Sequence, residues 1–270
     1  MSSFGNRYQA LMAGSTVALA LMALAGCGGN RTSLTLAGST AFQPFAEKLA
    51  EHYMAAHPEV NITVQGGGSA VGIQAAVSGA AQIGMADLVV LPAEAKELKG
   101  VVVARDGIAV VVHPLNPVKC LTLVQVRDIF NGAIQNWKEL GGKDAPITVV
   151  SREAGSGTRS SFEQIVGNFR LTKDAIIQDS NGTIRETVAN DANALGYLSH
   201  GLLNDKIAPV TVDGASCTAA AIQAGQYRLV RPIYLLTKGE PTPAEQAFLA
   251  YILSPEAQKL IQDNGLLPAQ

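Results

Sequence analysis

The sequence pattern that decides the fold class is clearest at residues 147–166, which read ITVVSREAGSGTRSSFEQIV. The apolar run at 147–150 predicts a strand, and Phe162, Ile165 and Val166 recur at helical spacing. The glycines and hydroxyl side chains between them predict a loop that opens the helix. A strand, a short loop and a helix in this order are typical of α/β proteins.

The same alternation continues along the chain and predicts mixed, mainly parallel sheets. The predicted strands lie at 34–37, 62–65, 82–86, 101–104, 108–113, 147–150, 194–199, 208–212 and 233–237. Capping-box sequences predict helix starts at Thr122 and Thr242. Ser254 and Pro255 predict a last helix, which we expect to end near Gly265.

Composition indicates a folded globular chain. The 270 residues are 47% hydrophobic and 16% charged, and the formal net charge of -2 provides no overall basic field for nucleic acid. The absence of a Cys-x-x-Cys motif and the presence of only four histidines argue against a structural zinc site. We therefore expect no metal, no cofactor and no nucleic acid partner.

The length suits two lobes, although no linker, charge block or repeat divides the sequence. Two strand-like runs, at 108–114 and 230–236, have a proline at or near one end and are candidates for crossings between lobes. The first lobe is therefore predicted to combine 34–111 with 232–270. The second lobe is predicted at 112–231.

Residues 1–26 have the pattern of a lipoprotein signal peptide, in which Arg7 precedes an apolar stretch that is short for a membrane span. A short membrane anchor is the alternative. The stretch ends in Leu24-Ala25-Gly26-Cys27, which resembles the bacterial lipobox and predicts lipid attachment, such as palmitate, at Cys27. We expect 27–33 to be a tether, and the exported protein to be lipid-anchored at the periplasmic or extracytoplasmic face of the cell membrane.

Two further cysteines, Cys120 and Cys217, would then lie in an oxidising compartment, where a disulfide is the default expectation. Two buried free thiols are an equally reasonable alternative, because the sequence does not place the side chains within bonding distance.

Four junctions after predicted strands contain small donor residues, around Ser39, Ser69, Asp87 and Arg152. Glycine lets the backbone approach a ligand closely, and a helix start offers unpaired N–H groups to an anion. Each residue also has an ordinary interpretation, as a helix cap or as a solvated surface charge. Together, however, the hydroxyls, one Arg and one Asp supply the donors and the acceptor of a phosphate site.

Competing motifs do not fit these loops. Neither the nucleotide-binding G-x-x-x-x-G-K-[ST] nor G-x-G-x-x-G occurs in them. A hydrolase nucleophile elbow around Ser156 would need glycine where Ala154 and Thr158 stand, and His200 is the only histidine after residue 113.

Seven short motifs occur in order: GSTAFQP at 38–44, GGGS at 66–69, IGMAD at 83–87, DIFNG at 128–132, NW at 136–137, SREAGSGTR at 151–159 and SNG at 180–182. With them the chain resembles the PstS family, the phosphate-binding proteins of bacterial phosphate ABC importers, in its shorter lipoprotein form.

The resemblance implies an α/β, two-lobed periplasmic-binding-protein type II fold with a hinge and a central anion cleft. It also implies a monomeric receptor without enzymatic activity, which captures inorganic phosphate and delivers it to the transmembrane subunits of an ABC permease. The phosphate-binding residues implied by the motif match are Ser39, Thr40, Ala41, Ser69, Asp87, Arg152, Ser156, Gly157 and Thr158.

The chain departs from the longer family members at one position. Those members have an Asp two residues after the Arg, whereas Ala154 stands there in this chain and Glu153 is next to Arg152. The sequence therefore does not identify the acidic residue that pairs with Arg152. Three alternative functions also remain: a phosphate-ester hydrolase with the same loops, a receptor for another tetrahedral oxyanion, and a surface lipoprotein that binds a protein.

Overall fold

The structure is a computed structural model that describes residues 31–167 and 169–269. The predicted signal peptide at 1–26 and the predicted lipid attachment site at Cys27 lie outside these residues. The first strand begins at Thr32, inside the predicted tether, because 32–37 pair in register with the second strand from Val60 onward. In the described part of the chain, no helix has the length and apolarity needed to cross a membrane.

Strands and helices alternate as the sequence predicts. The strands are β1 Thr32–Gly38, β2 Val60–Gln65, β3 Ile83–Ala86, β4 Leu98–Val112, β5 Cys120–Leu121, β6 Thr148–Arg152, β7 Ile176–Gln178, β8 Ala194–Ser199, β9 Ala208–Pro209, β10 Thr211–Val212, β11 Val230–Lys238 and β12 Leu267–Pro268. The helices are α1 Gln43–Ala56, α2 Ser69–Ser78, α3 Leu123–Phe130, α4 Gly157–Val166, α5 Asn181–Asn190, α6 Ala219–Gln223, α7 Pro243–Ile252 and α8 Pro255–Asp263.

The main sheet has the strand order β2-β1-β3-β11-β4-β8-β6-β7. Its two outer parts are parallel, but the central strands β4 and β11 pair antiparallel with each other and with their outer neighbours. The sheet is mixed, as expected, but the expectation that it is mainly parallel is wrong at the centre. There β4 and β11 run in opposite directions between the two outer parts. The two strands predicted at 101–104 and 108–113 are one continuous strand, β4.

Buried apolar side chains form a large cluster on each side of these crossings. One cluster is built from residues between 108 and 229 together with Leu267, and another from residues between 34 and 104 and between 233 and 266. The proposed lobe boundaries, 34–111 with 232–270 and 112–231, stay a prediction.

Helix ends follow the predicted chemistry. Thr122 and Thr242 each accept a hydrogen bond from the amide three residues later, which completes the two capping boxes. The last helix begins after Ser254 and ends at Asp263. Gly265 follows with a φ of +97°, a conformation that glycine adopts without steric cost.

The predicted disulfide is wrong, because Cys120 and Cys217 are both free thiols. Cys120 is exposed at the start of β5, whereas Cys217 is buried. The sulfur of Cys217 packs so closely on the backbone of β4 that a Cβ added at Gly107 would lie 2.8 Å from it. Burial raises the pKa of the Cys217 thiol, with a further increase from Asp106.

Candidate functional site

The four predicted loops lie at the carboxyl ends of β1, β2, β3 and β6. Ser39, Thr40 and Ala41 follow β1, Ser69 begins α2, Asp87 follows β3, Arg152 ends β6, and Ser156, Gly157 and Thr158 lie at the start of α4. All of these residues are buried except Thr40, which is half-buried. The structure therefore brings polar groups from distant segments together in the interior, where they need hydrogen-bond partners.

Two of the loops contact each other directly. The amide of Ala70 donates to the carbonyl of Gly155 at 3.1 Å. A Cβ added at Gly157 would overlap the Ser69 hydroxyl and would lie 2.6 Å from Asp87 Oδ1. Glycine at 157 thus permits the start of α4 to approach the residues that follow β2 and β3.

The Asp87 carboxylate is the centre of the site and is only 2% exposed. The Ser69 hydroxyl donates to its Oδ1 at 2.6 Å, and the Thr158 hydroxyl donates to its Oδ2 at 2.9 Å. The backbone amide of Asp87 also donates to the Ser69 oxygen at 3.0 Å. The Asp87 carboxylate therefore accepts hydrogen bonds from side chains of two other segments. The interpretation of this residue as a helix cap is wrong.

The serines at the two other loops have hydroxyl protons available for an anion. Ser39 Oγ accepts from the amide of Phe42 at 3.2 Å, and Ser156 Oγ accepts from the amide of Arg159 at 3.2 Å. Each oxygen is the acceptor in these bonds, so each hydroxyl keeps its proton to donate. Ser156 is also the N-cap of α4, whose first amides have no partner within the helix.

Arg152 is buried, so its interpretation as a solvated surface charge is wrong. Its Nε and Nη2 donate to the two carboxylate oxygens of Glu153 at 2.9 and 2.8 Å. The carbonyls of Gln178 and Asp179 accept further bonds from the same two nitrogens. Glu153 is therefore the acidic partner of Arg152, which the sequence analysis left undetermined.

The third nitrogen of this guanidinium, Nη1, is not bound by Glu153, Gln178 or Asp179. Arg152 Nη1 is buried and makes no hydrogen bond to any residue that the structure describes. A buried donor of this kind is costly unless something accepts from it. With Nε and Nη2 held in place by Glu153, Nη1 is the donor that Arg152 can offer to an anion.

Two buried charges behind Asp87 were not predicted from the sequence. Arg231 Nη1 lies 2.6 Å from Asp87 Oδ2, an ion pair without hydrogen-bond alignment, and Arg231 Nη2 donates to Asp106 Oδ2 at 2.7 Å. Ser199 donates to the other oxygen of Asp106 at 2.9 Å. Burial raises the pKa of Asp106, whereas the charge and hydrogen bond of Arg231 lower it.

Asn181 is a further residue that the sequence analysis did not assign to the site. Its amide nitrogen donates to the Thr40 hydroxyl at 3.1 Å and approaches the Thr158 hydroxyl at 3.5 Å. Its carbonyl oxygen accepts from the amide of Ser199 at 3.0 Å. The sequence signal was available in the SNG motif at 180–182, since an Asn at the start of a helix is placed to reach neighbouring loops.

Comparison of this chain with known proteins identifies its family. The model of the PBP superfamily domain matches residues 25–256. A relative from Bacillus subtilis, named phosphate-binding protein PstS, is 37% identical over 87% of this chain and 80% of its own length. The chain belongs to the PstS family of the PBP superfamily. The predicted α/β, two-lobed periplasmic-binding-protein fold is thereby confirmed.

Two solved structures agree with the family. One is a Clostridium perfringens protein assigned as a phosphate ABC transporter substrate-binding protein and solved with bound phosphate. It is 41% identical to this chain, with a TM-score of 0.86, and the match covers 88% of this chain and 100% of that one. The other is an ABC-type phosphate transport receptor from Vibrio cholerae, which is 34% identical, with a TM-score of 0.73 over 87% of this chain and 99% of that one.

Proposed function

We propose that this PstS-family protein binds inorganic phosphate as the receptor of an ABC importer. The observation that supports phosphate best is the buried Asp87 carboxylate among hydroxyl donors, with the unpartnered Nη1 of Arg152 close along the chain to Ser156 and Thr158. Hydrogen-bond donors replace the hydration of a dianion's oxygens, and a carboxylate accepts a hydrogen bond from a ligand oxygen that has a proton. Phosphate at neutral pH has both unprotonated oxygens and a protonated one.

The proposed ligand set is the predicted one. Its members are Ser39, Thr40, Ala41, Ser69, Asp87, Arg152, Ser156, Gly157 and Thr158. Many neutral donors and one guanidinium suit a small buried anion, since they replace its hydration without a large positive surface. The names of the Bacillus subtilis, Clostridium perfringens and Vibrio cholerae relatives support the same ligand.

Another tetrahedral oxyanion is disfavoured by the charge of Asp87. Sulfate has no proton at neutral pH, so its bare oxygen would face the carboxylate and be repelled. Phosphate avoids this repulsion by donating its proton. Asp87 thus provides a physical basis for choosing phosphate over an anion of almost the same shape.

A phosphate-ester hydrolase is disfavoured by the neighbours of the serines. Among the described residues, no histidine is hydrogen-bonded to Ser39, Ser69 or Ser156, and the ring of His200 pairs with the carbonyl of Gly265 at 2.8 Å. A serine nucleophile needs a general base within hydrogen-bond reach. We therefore infer a binding protein without enzymatic activity.

The cellular setting follows from the sequence and the family. The signal-peptide pattern at 1–26 and the lipobox cysteine support export and lipid anchoring at Cys27, with the transmembrane subunits of a permease as partners. An anchored receptor stays close to the permease that it supplies. We infer that it acts there as a monomer.

Titration calorimetry tests the ligand. The protein that begins after Cys27 is titrated with inorganic phosphate and, separately, incubated with a chromogenic phosphate ester. Saturable binding of phosphate with no ester turnover is the expected result. Ester turnover would select the hydrolase, and the absence of any heat with phosphate would contradict the proposed ligand.

A further inference from the structure

Behind the proposed phosphate site lies a row of three buried charges, Asp87, Arg231 and Asp106. All three are at most 2% exposed. The Arg231 guanidinium is shared between the carboxylates, with Nη1 at 2.6 Å from Asp87 and Nη2 at 2.7 Å from Asp106. Buried charges of this kind persist only when they are paired, so the two acids depend on one cation.

Strand register places Arg231 at this point. Arg231 of β11 is directly opposite Asp106 of β4, on the two central antiparallel strands of the sheet. β11 also pairs with β3, where Tyr234 is opposite Ala86, the residue before Asp87. The position of the cation between Asp106 and Asp87 is therefore fixed by the pairing of β11 with its neighbours on both sides.

The hydroxyl donors of Asp87 have a competing task. Ser69 and Thr158 each have a single hydroxyl proton, which now points to Asp87. If the same hydroxyls bind phosphate, as proposed above, each donates its hydrogen bond to a phosphate oxygen. The Asp87 carboxylate then no longer receives these two hydrogen bonds. The Arg231 guanidinium is held between Asp87 and Asp106, so its charge stays with Asp87.

We propose that Arg231 is a positioning residue for phosphate recognition, which holds the Asp87 carboxylate in place while the Ser69 and Thr158 hydroxyls bind the ligand. This inference rests on the proposed function. The groups that face Asp87 are Ser69 from α2, Thr158 from α4 and Arg231 from β11, with Asp106 of β4 behind the guanidinium.

Loss of this cation should reduce the preference for phosphate over sulfate. Among the described residues, Ser69, Thr158 and Arg231 hold the Asp87 carboxylate, and the first two belong to the proposed ligand set. Without Arg231, the carboxylate is free to turn away from the position in which it accepts a hydrogen bond from phosphate and repels the bare oxygen of sulfate.

The test compares two variants that differ only in Arg231. The first is Asp106→Asn, which leaves Arg231 to Asp87 alone. The second is Asp106→Asn with Arg231→Gln, which removes the cation and leaves no unpaired Asp106, so that it retains the fold better than loss of Arg231 alone. The matched control is Lys99→Gln, which breaks an exposed ion pair with Glu240 at the far end of β4.

Affinities for phosphate and sulfate are measured by competition calorimetry at neutral pH, with thermal unfolding as a check of the fold. We expect the phosphate-to-sulfate affinity ratio to fall by at least about tenfold in the double variant. It should stay within about threefold of the parent in Asp106→Asn and in Lys99→Gln.

Three results would overturn the inference: an unchanged ratio in the double variant, an equal loss of both anions, or the same fall in Asp106→Asn alone. A parent protein that binds no phosphate would instead refute the proposed function itself. The two failures are therefore distinguishable.

Discussion

Replacement of Gly157 by alanine is expected to weaken phosphate binding through a steric contact between two loops. The new Cβ would overlap the Ser69 hydroxyl and would lie 2.6 Å from Asp87 Oδ1 and 2.9 Å from the Asp87 carbonyl oxygen. A movement of about 0.8 Å between α4 and Asp87 is needed to reach an ordinary van der Waals distance. That movement separates Thr158 from Asp87, whose hydroxyl contact is now 2.9 Å.

An overpacked contact costs about 1–3 kcal/mol, and where this cost falls on the phosphate-bound state it raises the Kd for phosphate by roughly fivefold to 150-fold. Calorimetry with inorganic phosphate measures this effect, and thermal unfolding reports whether the fold is retained. Gly157 is the first residue of α4, where alanine is well tolerated by the helix itself. The loss should therefore appear in binding.

Gly155→Ala is the matched control. It adds the same methyl group two residues earlier, where the nearest atom is the Ala70 side chain at 3.4 Å, an ordinary contact. This variant should bind phosphate like the parent. If Gly157→Ala also bound phosphate within about threefold of the parent, close approach of α4 to Asp87 would not be needed for binding.

Four further predictions concern the charged residues and the cysteines. Asp87→Asn should lower the phosphate-to-sulfate affinity ratio, chiefly because sulfate binding gains when its repulsion is removed, and competition calorimetry that finds the ratio unchanged would refute this role. Arg152→Ala should weaken phosphate binding by about 2–5 kcal/mol, because the anion loses its charged donor; full affinity in calorimetry would place the site elsewhere. Cys120, which is exposed, should be alkylated in the native protein, whereas Cys217, whose pKa is raised by burial, should react only after unfolding; intact mass decides this, and a product 2 Da below the reduced mass would instead indicate a disulfide. Cys27→Ala should leave a soluble or uncleaved product, because the lipid requires that sulfur, and a variant that is processed and fractionates with membranes like the parent would contradict anchoring.

The loops of the candidate site were predictable because their chemistry is local. Small residues between a strand and a helix mark a place where backbone amides are unpaired, whatever the rest of the fold. The loops that contain Ser69, Asp87 and Thr158 were predicted on that basis, the resemblance to the PstS family implied these residues as ligands, and the structure brings them into contact. The acidic partner of Arg152 was open in the sequence, since only side-chain geometry decides that Glu153 reaches back to it.

Arg231 and Asp106 could not be found in the same way. They are 125 positions apart, and each is followed by apolar residues that merely predict a strand. Their pairing depends on the register of two antiparallel central strands, which the expectation of mixed, mainly parallel sheets did not specify. The disulfide prediction had the same weakness, because the separation of two cysteines along the chain does not determine their distance in space.

The sequence by itself determined the α/β class, the helix caps and the segments that supply the site, because these depend on residue periodicity and on contacts within a few residues. Only the tertiary structure decided which strands pair in the middle of the sheet, which cation meets Asp87, and that Cys217 lies in the core. The physical reason is that burial changes the requirements of a charge or a thiol. A buried charge must find a partner, and the fold determines which distant segment provides it.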